Sequence, residues 1–382
     1  MMKSLGQRIK YIDSIKGIAC IFVFLGHFYY GFYSHASDVS IFAGIKLIHS
    51  VFRFLFNGTF CVALFSFISG FFTEQIKTGK AFFCAVVKRY FRISFPLLFL
   101  CLLIVAVGRT VTYSDSLYMA ERLQNSWLYC VGRAELTLGS AIKAAFFDIL
   151  FRGDSSFATQ LWMLRPMFIG QLLLFFYYYV DYKNYKLNAV MKFLILLFSF
   201  VWSYPCFAVI CGGMYRKHSI WFSAKISSVT AVCILLFVGI TGHLRLYNYL
   251  PVIAGVDIPK NMQVIFAMLT IVSINQIKKI QKVLEKKILL FLGRLSFQIY
   301  LLHTLIIAAI SCRLFMVMEK VSYSYAYFIV SIITVFSVLI FSVLWLYTVE
   351  PLCKKMVNGV IDGSTRFMDN ILFYSKEDDE GK

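Results

Sequence analysis

A histidine deep inside an apolar run is the residue best suited to chemistry. His27 follows the segment Asp13-Ser14-Ile15-Lys16-Gly17-Ile18-Ala19. Lys16 precedes it by eleven residues, about three helical turns, so both project from one helix face, and Asp13 shares that face. At the helical rise His27 lies about 16 Å deeper than Lys16. An ionisable side chain at that depth is expensive and reads as functional by default. Its imidazole can take a proton from a hydroxyl and return one to a leaving group near neutral pH. The other reading is a neutral histidine hydrogen-bonded to a neighbouring helix, with Lys16 only reaching to the surface. The residues alone leave both open.

Further along, Lys88-Arg89-Tyr90-Phe91-Arg92-Ile93-Ser94-Phe95-Pro96 begins another apolar run. Arg89 and Arg92, three apart, stack on one helix face. Their guanidinium forks suit the phosphate oxygens of a nucleotide-like donor, or simply anchor a cytoplasmic loop. Arg165, in Leu161-Trp162-Met163-Leu164-Arg165-Pro166-Met167, sits within an apolar run and needs a partner, a wet cavity or a route to the surface. Ser296, Tyr300 and His303 fall at i, i+4 and i+7, a polar stripe expected to face the bundle interior, for structure or for function. Glu350, in Thr348-Val349-Glu350-Pro351, is expected to pair with a cytoplasmic arginine.

The elements that must position these residues are membrane spans. Of 382 residues 60% are hydrophobic and only 15% charged, far from the composition of a soluble domain. Disordered, collagen-like, coiled-coil and disulfide-scaffold classes are excluded. The fold class expected is an all-α, polytopic transmembrane bundle. The ten cysteines lack metal-ligand spacing and lie mostly inside apolar runs, as small buried hydrophobes do. The 38 Lys and Arg against 19 Asp and Glu give a net charge of +19. Because the basic residues flank apolar runs, they follow the positive-inside pattern rather than a nucleic-acid footprint.

Nine apolar runs stand at about 14–33, 51–73, 91–108, 157–180, 187–215, 219–242, 261–277, 287–311 and 325–349. The first reads as a retained span rather than a cleaved signal. Lys3, Arg8 and Lys10 start the chain inside; Lys77–Arg92 and the loop with Lys183 and Lys186 are then inside as well. Nine crossings would put the most basic loop, Lys278–Lys287, outside. It returns inside if 187–215 crosses twice, turning near Ser203-Tyr204-Pro205 as two short or broken helices. Ten crossings with both termini cytoplasmic are therefore expected. The loop 109–156 is then extracytoplasmic, with a surface helix over 142–152. The acidic stretch Lys376-Glu377-Asp378-Asp379-Glu380 is expected to be disordered.

Six motifs in order resemble the acyltransferase-3 family over residues 9–351. They are Asp-x-x-Lys-Gly-Ile-Ala…His at 13–27, Phe-Ile-Ser-Gly-Phe-Phe at 67–72 with Ser69, Lys-Arg-x-x-Arg-Ile at 88–93, Leu-Trp-Met-Leu at 161–164 with Trp162, Ser-Phe-x-Ile-Tyr-Leu-x-His at 296–303 and Val-Glu-Pro at 349–351. The resemblance implies ten spans, an acyl-CoA donor taken from the cytosol, and a surface glycan or related acceptor modified at the outer face; with no Cys/His cluster at metal spacing, no metal is expected. On it, His27 matches the family's essential first-span histidine, and Lys16 the basic residue eleven before it, more often Arg. Arg89 and Arg92 match the basic pair after the second span. Met167 stands where many relatives carry a glutamate.

These readings give a transmembrane domain over 9–351 and a cytoplasmic tail over 352–382. Catalytic candidates are His27, Lys16 and Asp13; donor-binding candidates are Arg89 and Arg92. Ser69, Trp162, Arg165, Ser296, Tyr300, His303 and Glu350 are structural or secondary candidates. The expected activity is O-acyl transfer, acetyl from acetyl-CoA, to a hydroxyl of a bacterial polysaccharide or its lipid-linked precursor at the plasma membrane. The alternative is a non-enzymatic carrier or flippase of lipid-linked glycan. The partners expected are membrane lipid and the glycan acceptor, with no nucleic acid.

Overall fold

A computed structural model describes residues 9–32, 57–110, 113–183, 188–217, 226–320 and 322–380. Lys3, Arg8, Lys186 and parts of the runs 51–73 and 219–242 lie outside these residues. The fold is all-α. Among the described residues the only strands are the pair Val252–Ile253 and Val256–Asp257. Five helical stretches are long and apolar enough to cross a membrane: Lys10–Phe32, Gly79–Gly108, Thr159–Lys183, Lys287–Met318 and Tyr325–Phe367. Gly58–Phe71, Asn188–Trp202, Ser228–Leu244 and Ile258–Ile274 are apolar but shorter. This is a multi-pass membrane protein.

In chain order the helices are α1 (Lys10–Phe32), α2 (Gly58–Phe71), α3 (Gly79–Thr110), α4 (Ser114–Arg122), α5 (Leu138–Lys143), α6 (Leu164–Lys183), α7 (Asn188–Trp202) and α8 (Tyr204–Lys217). They continue with α9 (Ser228–Leu244), α10 (Ile258–Ile274), α11 (Lys278–Leu284), α12 (Lys287–Ile306), α13 (Cys312–Met318) and α14 (Tyr323–Glu380). The run 187–215 breaks where its sequence says it should. Ser203 separates α7 from α8, and Pro205 sits in the first turn of α8, where its missing N–H costs nothing. The expected surface helix over 142–152 is α5 with a π-helical continuation, Ala144–Arg152, packed on α3 and α6. One expectation is corrected. The acidic stretch 376–380 continues α14 as helix, because Lys and Glu are good helix formers and extending an existing helix needs no new nucleus.

Helix α1 contributes a face to each of two apolar cores. One face, with Cys20, Phe24, Phe28 and Phe32, enters a large apolar core built also from α3, α6 and α12. Another, with Tyr11, Ile12, Ile15 and Ala19, enters a second core built from α2, α8 and α10. Its most extensive partner is α12, and glycines let the two backbones touch. A Cβ on Gly17 would stand 2.5 Å from Gly293 N, and one on Gly293 would stand 2.4 Å from Asp13 O. Close crossings on small residues are how membrane helices gain packing without a hydrophobic drive between them.

Candidate active site

That crossing sets the register of the site. Gly17 meets Gly293, and Cys20 and Ser296, each three residues further on, meet next, with Cys20 Sγ donating to Ser296 O at 2.9 Å. His27 and His303 each lie ten residues beyond their glycine, about 15 Å along their helices. They meet with His27 Nδ1 2.9 Å from His303 Nε2, their rings stacked at 5.2 Å between centroids.

Protons on this pair are fixed by a carbonyl. His303 Nδ1 lies 3.0 Å from Ile299 O. A carbonyl only accepts, so Nδ1 of His303 carries its proton, and in the neutral ring Nε2 is then the acceptor. His27 Nδ1 must therefore donate to His303 Nε2, which leaves His27 Nε2 with a free lone pair. Hydrogen bonding at one ring nitrogen selects the role of the other. The arrangement yields a base. His303 is buried, while His27 is partly exposed.

The loop between α3 and α6 covers His27. Asn125 Nδ2 donates to Tyr30 O at 2.8 Å and Gly31 O at 3.2 Å, satisfying carbonyls at the C-terminus of α1. Its Oδ1 accepts from Trp127 N at 3.1 Å. Trp127 is thereby held over His27, with ring centroids 4.9 Å apart, and Tyr30 meets its edge at 6.3 Å. Trp127 and Asn125 carried no signal in the sequence, because a loop residue reaching a helix end about a hundred positions away follows no period.

A polar cluster joins α2, α3 and α6. Ser69 Oγ accepts from Gln171 Nε2 at 3.0 Å and from Arg89 Nη2 at 3.5 Å; Gln171 Nε2 also donates to Ser69 O at 3.0 Å. Arg89 Nε is buried with no hydrogen-bond partner, whereas Arg92 is exposed. Ser69 is one turn from Phe65 on α2, and Phe65 stacks on Tyr300 at 6.4 Å, which neighbours His303 at 6.3 Å. Phe65 and Tyr300 thus link the helix that carries Ser69 to His303.

The remaining candidates are spread more widely. Lys16, partly exposed, and the buried Asp13 lie about 16 and 21 Å from His27 along α1, near the Gly17–Gly293 crossing. Ser296 bonds back to Gly293 O at 2.9 Å. Tyr300 donates to Gln160 O, and Thr304 donates to Gln160 Oε1 at 2.6 Å. Arg165 Nη1 donates to Arg152 O at 3.3 Å, and its guanidinium lies over the Trp202 ring at 5.5 Å. Trp162 is exposed, with its ring 6.3 Å from that of Tyr204. Met167 is buried in the large core. Glu350 pairs with Lys354 at 2.6 Å and accepts from Gln298, not with an arginine. A lysine one turn on along the same helix reaches the carboxylate first.

The profile of the acyltransferase-3 family, described as an acyltransferase domain, matches residues 9–350. The chain belongs to the acyltransferase-3 family. No curated protein and no solved structure matches it. As a member of that family it is a membrane acyltransferase, and the paired histidines on α1 and α12 lie inside the matched domain.

Proposed function

We propose that this acyltransferase moves an acetyl group from cytosolic acetyl-CoA to a hydroxyl of a surface polysaccharide, or of its lipid-linked precursor, in a bacterial plasma membrane. The observation that carries the reading is the free lone pair on His27 Nε2, fixed by the His303–Ile299 relay beside the Trp127 ring. A sugar hydroxyl is a poor nucleophile at neutral pH. His27 Nε2 takes its proton as the oxygen attacks the thioester carbonyl; the new C–O bond forms, the C–S bond breaks, and the proton passes to the departing CoA thiolate. The same lone pair can instead accept the acyl group first and hand it to the acceptor.

Arg89, with an unpartnered buried Nε, and the exposed Arg92 supply donors for CoA phosphates. The acceptor enters over Trp127, whose ring offers a flat face to a sugar. Lys16 and Asp13 act at the crossing that sets the register of His27, and hold charge near the donor side. We further propose ten crossings with both termini cytoplasmic, using α8 as the tenth, and a domain over 9–351. The rest of α14, from 352 on, is then a cytoplasmic extension.

Mass spectrometry of surface glycans, with and without the chain, tests the reading. An increment of one acetyl that depends on His27 is the expected result. A glycan of unchanged mass, with only its amount at the surface altered, supports a carrier instead.

A further inference from the structure

A cleft of about 940 Å³ runs between α1, α2, α9, α10 and α11, on a different face of α1 from His27. Ile15, Ile18 and Phe22 form its α1 wall, roughly 150° around the helix from the histidine. On α9 it runs from Val232 to Leu244, about 18 Å, close to the depth of one leaflet of roughly 15 Å. At roughly 30 Å³ for each water-sized or methylene-sized group, it holds about thirty of them. It opens sideways past Leu236 and Ile240, which are exposed apolar side chains.

The walls are apolar except towards one end, and there the hydrogen bonds are incomplete. Asn57 caps α2, its Oδ1 accepting from Phe60 N at 3.1 Å. Its Nδ2 must then be the donor to Tyr247 OH at 2.9 Å and to Gln263 Oε1 at 3.1 Å. That fixes the Gln263 amide with its Nε2 unbonded. Gln263 lines the cleft, is 1% exposed, and its Nε2 has no partner. A buried donor left unpaired is costly, so the site is complete only with an acceptor atom. His243 lines the same end, with the exposed Arg245 two residues on. Beyond them the exposed Tyr249, Val252 and Ile253 suit a membrane interface.

We propose that this cleft binds one bilayer glycerophospholipid. Its two chains fill the apolar volume, an ester or phosphate oxygen accepts from Gln263 Nε2, and the phosphate faces His243 and Arg245. An anionic head beside the Arg245 guanidinium, with a donor at the top of an apolar slot of leaflet depth, is the complement of that lipid class. The site is independent of acyl transfer.

Lipids retained by the full-length protein in mild detergent test it, quantified by mass spectrometry per mole of chain. The native protein keeps about one phospholipid. Gly239 lines the cleft and a Cβ there meets nothing within 4 Å. Gly239→Phe therefore fills the slot without a backbone clash and loses the lipid. Gln263→Leu keeps the fold and weakens retention about tenfold in competition with added phospholipid. No phospholipid on the native protein, equal retention by both variants, or a polyprenyl lipid in its place would overturn the proposal.

Discussion

Replacing His303 by leucine removes the acceptor of His27 Nδ1 while keeping a buried apolar side chain of similar bulk. The donor on His27 is then unpaired, and nothing selects its tautomer. Breaking one partner of a buried hydrogen bond costs about 1–3 kcal/mol. At about 1.4 kcal/mol per decade, that is a loss of about 5- to 150-fold in rate. His303 is buried behind His27, so the loss belongs in kcat, with KM for acyl-CoA and for the acceptor unchanged. A glutamine at 303 offers Oε1 as a substitute acceptor and should recover part of the loss. His27→Ala should lose more, at least about a hundredfold, since general-base help is typically worth 10²–10⁴. The assay is initial-rate CoA release by purified protein in nanodiscs, at matched expression. A His303→Leu enzyme within twofold of native, or a His303→Gln enzyme no better than leucine, would refute the relay.

Other outcomes follow from the same geometry. Arg89→Ala should raise the KM for acyl-CoA more than Arg92→Ala does, because only Arg89 joins the buried Ser69–Gln171 cluster; equal donor kinetics in both would make them loop anchors. Gly293→Val should cut activity and thermal stability together, since even its Cβ would stand 2.4 Å from Asp13 O, whereas Gly239→Ala, with open space around it, should change neither. In a cysteine-free background, Lys279→Cys should label from the cytoplasmic side and Glu135→Cys from the opposite side; both on one side would break the ten-crossing topology. Trp127→Ala should raise the acceptor KM and leave donor hydrolysis unaffected, read by the two rates in parallel.

Local features were legible in the sequence because they obey a period or a local rule. The apolar runs gave the helices. Pro205 gave the break at Ser203, and the i, i+4, i+7 spacing put Ser296, Tyr300 and His303 on the inward stripe. Partners joined across the bundle follow no such rule. Gln160 and Gln171 reach residues more than a hundred positions away, and the cover of Trp127 depends on one asparagine side chain at the end of α1. One signal for the histidine pair did exist: Gly17 to His27 and Gly293 to His303 share the same spacing. Equal spacings from two glycines bring two side chains to one height only when the helices run parallel and cross at those glycines. That condition is tertiary. Glu350 shows the opposite failure, where a neighbour on the same helix, Lys354, took the place expected of a distant arginine.

Vectorial transfer in sealed proteoliposomes tests His27 as the base most directly. Labelled acetyl-CoA is supplied on the Arg89 side and a glycan acceptor on the Trp127 side. The native protein should label the acceptor, and a well-folded His27→Ala variant should label it at least about a hundredfold less. Undiminished transfer by that variant would contradict His27 as the base.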